Sequence, residues 1–135
     1  MAVLIDTNVL SDVLHDDPVW KSWAEARILD HFGELLINPI IYAELSCRAS
    51  SVEVLDELLE PFELEYLELP KEALFQAAKA FLAYRKRGGT KSAPLPDFFI
   101  GTHAAVLGIP IITRDTTRYQ TYFPEVTLIS PTSST

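Results

Sequence analysis

The chain has 135 residues, of which 48% are hydrophobic and one is a cysteine, and its formal net charge is −8. A chain of this length supports one core and not two, so we predict a single domain over residues 1–130 followed by a polar tail at 131–135. The lone Cys47 excludes an internal disulfide and a thiolate zinc cluster. The start of the chain has no basic segment, and no apolar run reaches the roughly 18 residues of a membrane span. We therefore expect a cytoplasmic protein without a membrane contact.

The N-terminal part of the chain predicts two buried strands with helices between them. Val3–Ile5 is an unbroken apolar run, typical of a strand that is buried on both faces. The pattern then predicts a helix from Asn8 to Leu14 and a second helix that opens at Pro18 and ends near Leu29, because proline is favoured at the first helical position. Leu35–Ile37 predicts the next strand.

Two helices with clear capping residues follow the second strand. Asn38 is a good N-cap and Pro39 a good first residue, so we predict a helix that reaches about Cys47. Ser51 caps another helix, which ends before Pro61 because proline interrupts the helical hydrogen bonds.

The charges are distributed unevenly along the chain. Residues 51–72 hold eight acids against one base, which accounts for most of the net charge, and we interpret them as a solvated surface. The basic loop, in contrast, brings four cations together around two glycines: Arg85, Lys86, Arg87 and Lys91. From charge alone this loop either binds phosphates or is a solubilising turn.

The C-terminal half predicts two more helices and up to three short strands. Residues 62–69 alternate weakly and suggest a short strand. Pro70 begins a long amphipathic helix, for which we predict the following buried stripe: Leu74, Ala77, Ala78, Phe81 and Leu82. Pro94 and Pro96 precede a helix that runs to about Leu107 and is ended by Gly108 and Pro110.

The last two apolar runs, Ile111–Thr113 and Val126–Ile129, complete the set of predicted strands. Strands that alternate with helices along the chain are joined by right-handed crossovers into a parallel sheet. We therefore predict the α/β class, an α/β/α sandwich with a central, mostly parallel sheet.

Asp6 raises a question because an ionisable group directly follows a strand that is buried on both faces. Burying a lone charge is costly. Asp6 therefore caps the next helix, faces water at the end of the strand, or is held where other charges need it.

Three further acids occupy comparable positions. Asp115 follows the strand at 111–113, and Asp97 lies in the first turn of the helix that opens at Pro96. Since the carboxyl ends of parallel strands share one edge of the sheet, we expect these acids to meet Asp6 there. Glu44 lies beside the apolar stripe of its helix, so it points inward or toward the rim.

Converging carboxylates repel one another unless a cation lies between them. Mg²⁺ and Mn²⁺ bind carboxylate and water oxygens and need no histidine or cysteine. The histidines, His15, His31 and His103, show no spacing that suggests a ligand pair, and we interpret them as surface or packing residues.

The order and context of the acids resemble those of the PIN domain nucleases. Four motifs carry the resemblance: an apolar strand ending in Asp-Thr-Asn, a Glu in the helix after a second strand, a Pro-Asp-x-x-Ile stretch that opens a late helix, and Thr-Arg-Asp after a following strand. Small single-domain members of this length are the VapC toxins of toxin–antitoxin pairs. The resemblance extends from Val3 to about Ile129.

The resemblance implies an acidic site formed by Asp6, Glu44, Asp97 and Asp115, with Asn8 and Thr113 as polar support. It also implies ribonuclease activity that depends on Mg²⁺ or Mn²⁺, a homodimer, and inhibition by a cognate antitoxin whose tail occupies the acidic cleft.

Asp6, Asp97 and Asp115 are the candidate metal ligands, while Glu44 either ligates the metal or orients its water. The basic loop precedes Asp97 along the chain and is the candidate RNA-binding surface. The bulky pair Phe98 and Phe99 departs from the alanine-rich stretch usual in the family and bears on the choice of substrate.

Three other interpretations remain open. A haloacid-dehalogenase-like phosphotransferase would use an Asp after the first strand but requires a second Asp where Asn8 stands, and a receiver domain would require paired acids there and a late Lys. A PIN-like module that binds RNA or protein without cleaving is the third alternative.

Overall fold

The computed structural model describes residues 1–91 and 95–131. Within them five strands form one sheet, in which every pairing is parallel. The strands in chain order are β1 (Val3–Ile5), β2 (Leu35–Ile37), β3 (Glu65–Tyr66), β4 (Ile111–Ile112) and β5 (Leu128–Ile129). Their order in the sheet is β3-β2-β1-β4-β5, so β1 is central and β3 and β5 are the edges.

Helices flank the sheet in an α/β/α sandwich. Those described are α1 (Thr7–Leu14), α2 (Lys21–Asp30), α3 (Pro39–Ser46), α4 (Val52–Leu59), α5 (Lys71–Lys86), α6 (Pro96–Leu107) and α7 (Thr117–Tyr122). The predicted fold class is thus confirmed, and the sheet is parallel throughout. No helix in the described ranges is long and apolar enough to cross a membrane.

Several predicted boundaries are confirmed by the capping groups themselves. The side chain of Asn38 accepts a hydrogen bond from the amide of Ile41 at 2.9 Å and caps α3. Ser51 caps α4 in the same way, through the amide of Val54 at 3.1 Å. Gly108 ends α6 with a φ of 67°, a left-handed conformation that glycine adopts at little cost.

The start of α2 and the buried face of α5 differ from the predictions. The helix α2 begins at Lys21 instead of Pro18, because the Asp17 carboxylate accepts from the amides of residues 19 and 20 and holds a turn there. On α5 the fully buried residues are Ala73 and Ala77, whereas Leu74 is 42% exposed. Of the predicted stripe, Ala78 and Leu82 are exposed as well, because the small alanines on the opposite side allow α5 to pack closely against α6.

Two short elements had no counterpart in the predictions: a 3-10 turn at Glu60–Phe62 and α7. Pro94 and residues 132–135 of the predicted tail lie outside the described residues.

The core that anchors α6 is aromatic. Phe98 is fully buried and its ring meets those of Phe81, Tyr84, Tyr122 and Phe123 at centroid distances of 5.4 to 6.4 Å. These edge-on contacts fix the first turn of α6, where Asp97 lies.

Candidate active site

A cavity of about 560 Å³ lies where the carboxyl ends of β1 and β4 meet the start of α6. Its wall includes one carboxylate from each of four separate parts of the chain: Asp6, Glu44, Asp97 and Asp115. The structure therefore brings together the four acids that the sequence singled out.

Asp6 is 5% exposed and is the N-cap of α1. Its Oδ1 accepts from the amide of Thr7 at 2.8 Å, and its Oδ2 accepts from the hydroxyls of Thr113 at 2.8 Å and Tyr119 at 3.0 Å. Burial raises the pKa of the Asp6 carboxyl from 3.8 to about 6, the charge of Asp97 adds to the rise, and the three hydrogen bonds oppose it. Of the three roles considered for Asp6, capping and placement among other charges apply together, and facing water does not.

The pKa values of Glu44 and Asp97, which are partly buried, are raised as well. Burial raises the pKa of Glu44 and the Asp97 charge adds to it, while a 2.6 Å hydrogen bond from the Thr7 hydroxyl lowers it. Burial likewise raises the pKa of Asp97, and the nearby Asp115 raises it further. The guanidinium of Arg118, 3.2 Å away, opposes that rise. Three carboxylates of the site are thus held in a protein environment that disfavours their negative charge.

The fourth acid, Asp115, is exposed at the mouth of the cavity and is tied to the site through its backbone. Its amide donates to the Thr113 hydroxyl at 3.1 Å. That hydroxyl donates to Asp6 and accepts from the Asn8 side chain at 3.2 Å, while the Asn8 oxygen accepts from the amide of Arg114 at 3.3 Å. Asn8 and Thr113 therefore connect α1 with the loop after β4 and lie next to the acids.

The divalent cation that the sequence implied would have few protein ligands at this site. Among the residues that the structure describes, no three acidic, histidine or cysteine side chains are grouped closely enough to hold a metal ion. Mg²⁺, however, is usually bound through one or two carboxylates and keeps several waters. A pocket of partly buried carboxylates with raised pKa values fits such an ion, since a cation would offset their repulsion.

Three residues of the site were missed by sequence reasoning: Thr7, Arg118 and Tyr119. The role of Thr7 could have been predicted, because Thr7 stands between Asp6 and Asn8, which were both predicted to belong to the site. Arg118 and Tyr119 belong to α7, whose polar sequence has no helical periodicity, so nothing in the pattern pointed to them.

Two further acids line the cavity, Asp12 and Asp17, and the buried Asp12 was missed as well. Asp12 is 4% exposed and binds Arg114 through two hydrogen bonds, from Nε to Oδ2 at 2.7 Å and from Nη2 to Oδ1 at 2.9 Å. It lies four residues after Asn8, on the same face of α1, and that spacing would have revealed it.

The histidines behave as interpreted. His103 is buried, and its Nδ1 lies 3.0 Å from the side-chain nitrogen Nδ2 of Asn38, so it packs between α3 and α6. Burial lowers the pKa of His103. His31 lies at the end of α2, and His15 is exposed at the outer rim of the cavity.

The four cations of the basic loop are exposed at the end of α5. Arg85 donates to the carbonyl of Lys91 at 2.8 Å, and the Arg87 guanidinium lies 5.1 Å from the centre of the Tyr122 ring. Within the described part of the chain, the residues lining the acidic cavity include none from this loop.

Comparisons with known proteins address the family and the fold. The family model described as PIN domain matches residues 3–124. A search of curated proteins gives no significant match.

Solved structures share the fold at low sequence identity. A chain of the toxin–antitoxin complex from Klebsiella pneumoniae superposes with a TM-score of 0.72 at 18% identity, covering 96% of this chain and 98% of that one. FitAcB from Neisseria gonorrhoeae superposes with a TM-score of 0.67 at 24% identity, covering 96% of this chain and 97% of that one. VapBC-1 from nontypeable Haemophilus influenzae superposes with a TM-score of 0.69 at 20% identity, covering 98% of this chain and 100% of that one.

Proposed function

The chain belongs to the PIN domain family, and we propose that it is a metal-dependent endoribonuclease and the toxin of a toxin–antitoxin pair. The observation that carries the proposal is the convergence of four carboxylates from four parts of the chain on one cavity. The raised pKa values of Asp6, Glu44 and Asp97, which a bound cation would lower, support metal-assisted hydrolysis of RNA phosphodiester bonds.

In this mechanism Asp6, Asp97 and Asp115 are the candidate ligands, of which one or two would bind the ion directly while water completes its coordination, and Glu44 would either contact the ion or orient a water molecule. Bound Mg²⁺ or Mn²⁺ supplies a water that ionises near neutral pH and stabilises charge on the phosphoryl oxygens. The residues around Asp6 keep its carboxylate in one orientation through hydrogen bonds from Thr113, Tyr119 and the Thr7 amide.

The chain also supplies what holds the site together before an ion arrives. Arg118 pairs with Asp97 and lies over the rings of Tyr84 and Phe98, at 5.6 and 5.8 Å from their centres. This cation partly offsets the charge of Asp97. Cleavage needs no nucleophilic side chain, since water attacks phosphorus and the bond to the leaving ribose oxygen breaks.

For the RNA strand, we propose the basic loop as a binding surface outside the cavity. Arg87 stacks on Tyr122, and the Tyr122 ring packs at 5.4 Å against Phe98, the residue after Asp97. The eight acids of residues 51–72 are all exposed and would repel RNA, so a strand that approaches the site is favoured on the basic side.

The proposed partners rest on the family and on the similar structures, which include a toxin–antitoxin complex. We propose that a cognate antitoxin inserts its tail into the acidic cavity. We also propose a cytoplasmic homodimer, with residues 1–130 as a single domain in each protomer.

The test is incubation of the purified protein with total RNA in Mn²⁺ and in chelator. Cleavage with Mn²⁺ alone, lost in the Asp6→Asn variant by orders of magnitude, supports the proposal. Full activity in chelator would refute the metal mechanism. Turnover of small phosphomonoesters with intact RNA would favour the phosphotransferase alternative, and RNA binding without cleavage would favour the non-catalytic module.

A further inference from the structure

Arg114 is the one residue of the predicted Thr-Arg-Asp motif to which the mechanism gives no task. It stands between Thr113, which binds Asp6, and the site acid Asp115. Its side chain is 32% exposed and lines the same cavity as the four carboxylates. A cation therefore forms part of a wall that is otherwise rich in acids.

The guanidinium of Arg114 is fixed on two sides. The buried Asp12 holds it through the two hydrogen bonds described above, and the Trp20 ring lies against it with the guanidinium carbon 5.7 Å from the ring centre. Arginine in solution loses considerable rotamer freedom when it binds a ligand. Because Asp12 and Trp20 have already ordered this side chain, little of that loss remains for a later binding step.

The same geometry leaves hydrogen-bond donors unused. A guanidinium carries five N–H groups, and Asp12 accepts from one on Nε and one on Nη2. No other hydrogen bond of this side chain is formed to a residue within 1–91 or 95–131. The three remaining N–H groups belong to a side chain that is partly open to the cavity, and three fixed donors suit the oxygens of a phosphate.

A second cation on the cavity wall strengthens the case. Arg48, just after α3, is exposed and lines the cavity from a different part of the chain. Asp12, Asp17 and Asp115 partly offset the charge of Arg114, so the additional positive charge of Arg48 helps to attract an anion.

We propose that Arg114 binds a backbone phosphate of the RNA strand, with Asp12 and Trp20 holding its guanidinium ready. This inference rests on the nuclease function proposed above and adds a contact inside the cavity to the basic loop outside it. The competing explanation is that Arg114 and Asp12 only tie α1 to the loop after β4. That explanation accounts for the ion pair but not for the unused donors or their place in the cavity.

The test measures binding of a single-stranded oligoribonucleotide in chelator, where cleavage does not interfere, over a range of salt concentrations. Arg114→Gln should weaken binding about tenfold and reduce the slope of log K against log salt by about 0.7, the value for one phosphate contact on a single strand. Because Arg114→Gln leaves Asp12 buried without its partner, the double variant Asp12→Asn/Arg114→Gln is measured beside it and should show the same losses.

Arg27 provides a matched control. It pairs with Asp30 at 3.0 Å and lies over Trp23 at 5.8 Å, the same combination of partners, but it does not line the cavity. Arg27→Gln should bind RNA with the affinity and salt slope of the parent. Equal binding by the parent and both Arg114 variants, or an equal loss in Arg27→Gln, would overturn the phosphate role.

The outcome is separate from that of the nuclease proposal. A parent protein that cleaves RNA with Mn²⁺ but binds it independently of Arg114 refutes the phosphate contact alone. A parent that binds through Arg114 but does not cleave with Mn²⁺ refutes the nuclease alone. A parent that neither cleaves RNA with Mn²⁺ nor binds the strand in chelator refutes both.

Discussion

The stability of the metal-free protein should depend on pH partly through Asp6, and Asp6→Asn should remove the contribution of Asp6 to that dependence. The carboxyl is buried in the folded protein with a pKa of about 6, against 3.8 in the unfolded chain. Well below pH 3.8 it is protonated in both states, and the fold keeps its full stability. As the pH rises through about 6, folded Asp6 ionises at a buried site and that stability is lost.

The size of the effect follows from the shift. A displacement of about two pKa units corresponds to about 3 kcal/mol between the acidic and neutral limits. Between pH 5 and pH 7.5, a range that avoids extreme acid, the expected loss in the free energy of unfolding is about 1.4 kcal/mol. The Asn side chain is neutral at every pH, and its oxygen can still accept the hydrogen bonds that the hydroxyls of Thr113 and Tyr119 donate to Asp6.

The assay is urea unfolding of both proteins in chelator at several pH values in this range. The quantity to compare is the difference between the two free energies of unfolding, because His103, whose lowered pKa favours stability at higher pH, is present in both and cancels. We expect Asp6→Asn to gain on the parent as the pH rises. Glu57→Gln, which neutralises an exposed acid of α4, controls for the loss of one charge. A difference that is constant with pH, or one that changes in the parent's favour, would refute the argument.

The remaining predictions concern single groups of the site. Asp97→Asn should abolish RNA cleavage yet melt no lower than the parent in chelator, and Mn²⁺ should raise the melting temperature of the parent more than that of the variant; a destabilised but active variant would remove Asp97 from the site. Replacing the four cations of the basic loop with Ser should weaken RNA binding and leave the Mn²⁺-induced melting shift intact, and unchanged RNA affinity would return the loop to a solubilising turn. Tyr119→Phe removes one hydrogen-bond donor to Asp6 and should lower kcat more than it raises KM for RNA. The control is Tyr42→Phe, since the Tyr42 hydroxyl binds Asp56 outside the cavity. A Tyr119→Phe variant with the parent's kcat would show that this hydroxyl does not orient Asp6.

The elements that the sequence predicted best are those whose signal is local. Asn38 and Ser51 cap their helices through groups three residues away, and short buried runs such as Val3–Ile5 have few other conformations open to them. The proximity of Asp6 and Asp115 was also predictable, because both follow parallel strands that end at the same edge of the sheet.

The features that were not predictable depend on tertiary packing. The buried face of α5 could not be chosen from its pattern, since alanine is apolar at Ala73, Ala77 and Ala78 alike and only the approach of α6 distinguishes them. The hydrogen bond from Tyr119 to Asp6 joins residues separated by 113 positions, and Tyr119 lies on a helix of six residues whose sequence has no hydrophobic periodicity. Neither feature has a local signal.

Because β1 lies at the centre of the sheet, we expect the two parts of the site to differ in mobility. The amide of Asp6 donates to the carbonyl of Ile112 at 2.9 Å, so the first acid is attached to the innermost pair of strands. Glu44 and Asp97, in contrast, are carried by helices. In amide hydrogen exchange, we expect the amide of Asp6 to exchange only through global unfolding and the first turn of α6 to exchange through smaller openings. The rigid half of the cavity would then keep a fixed reference point, while helix movements on the other half adjust its width to an incoming strand.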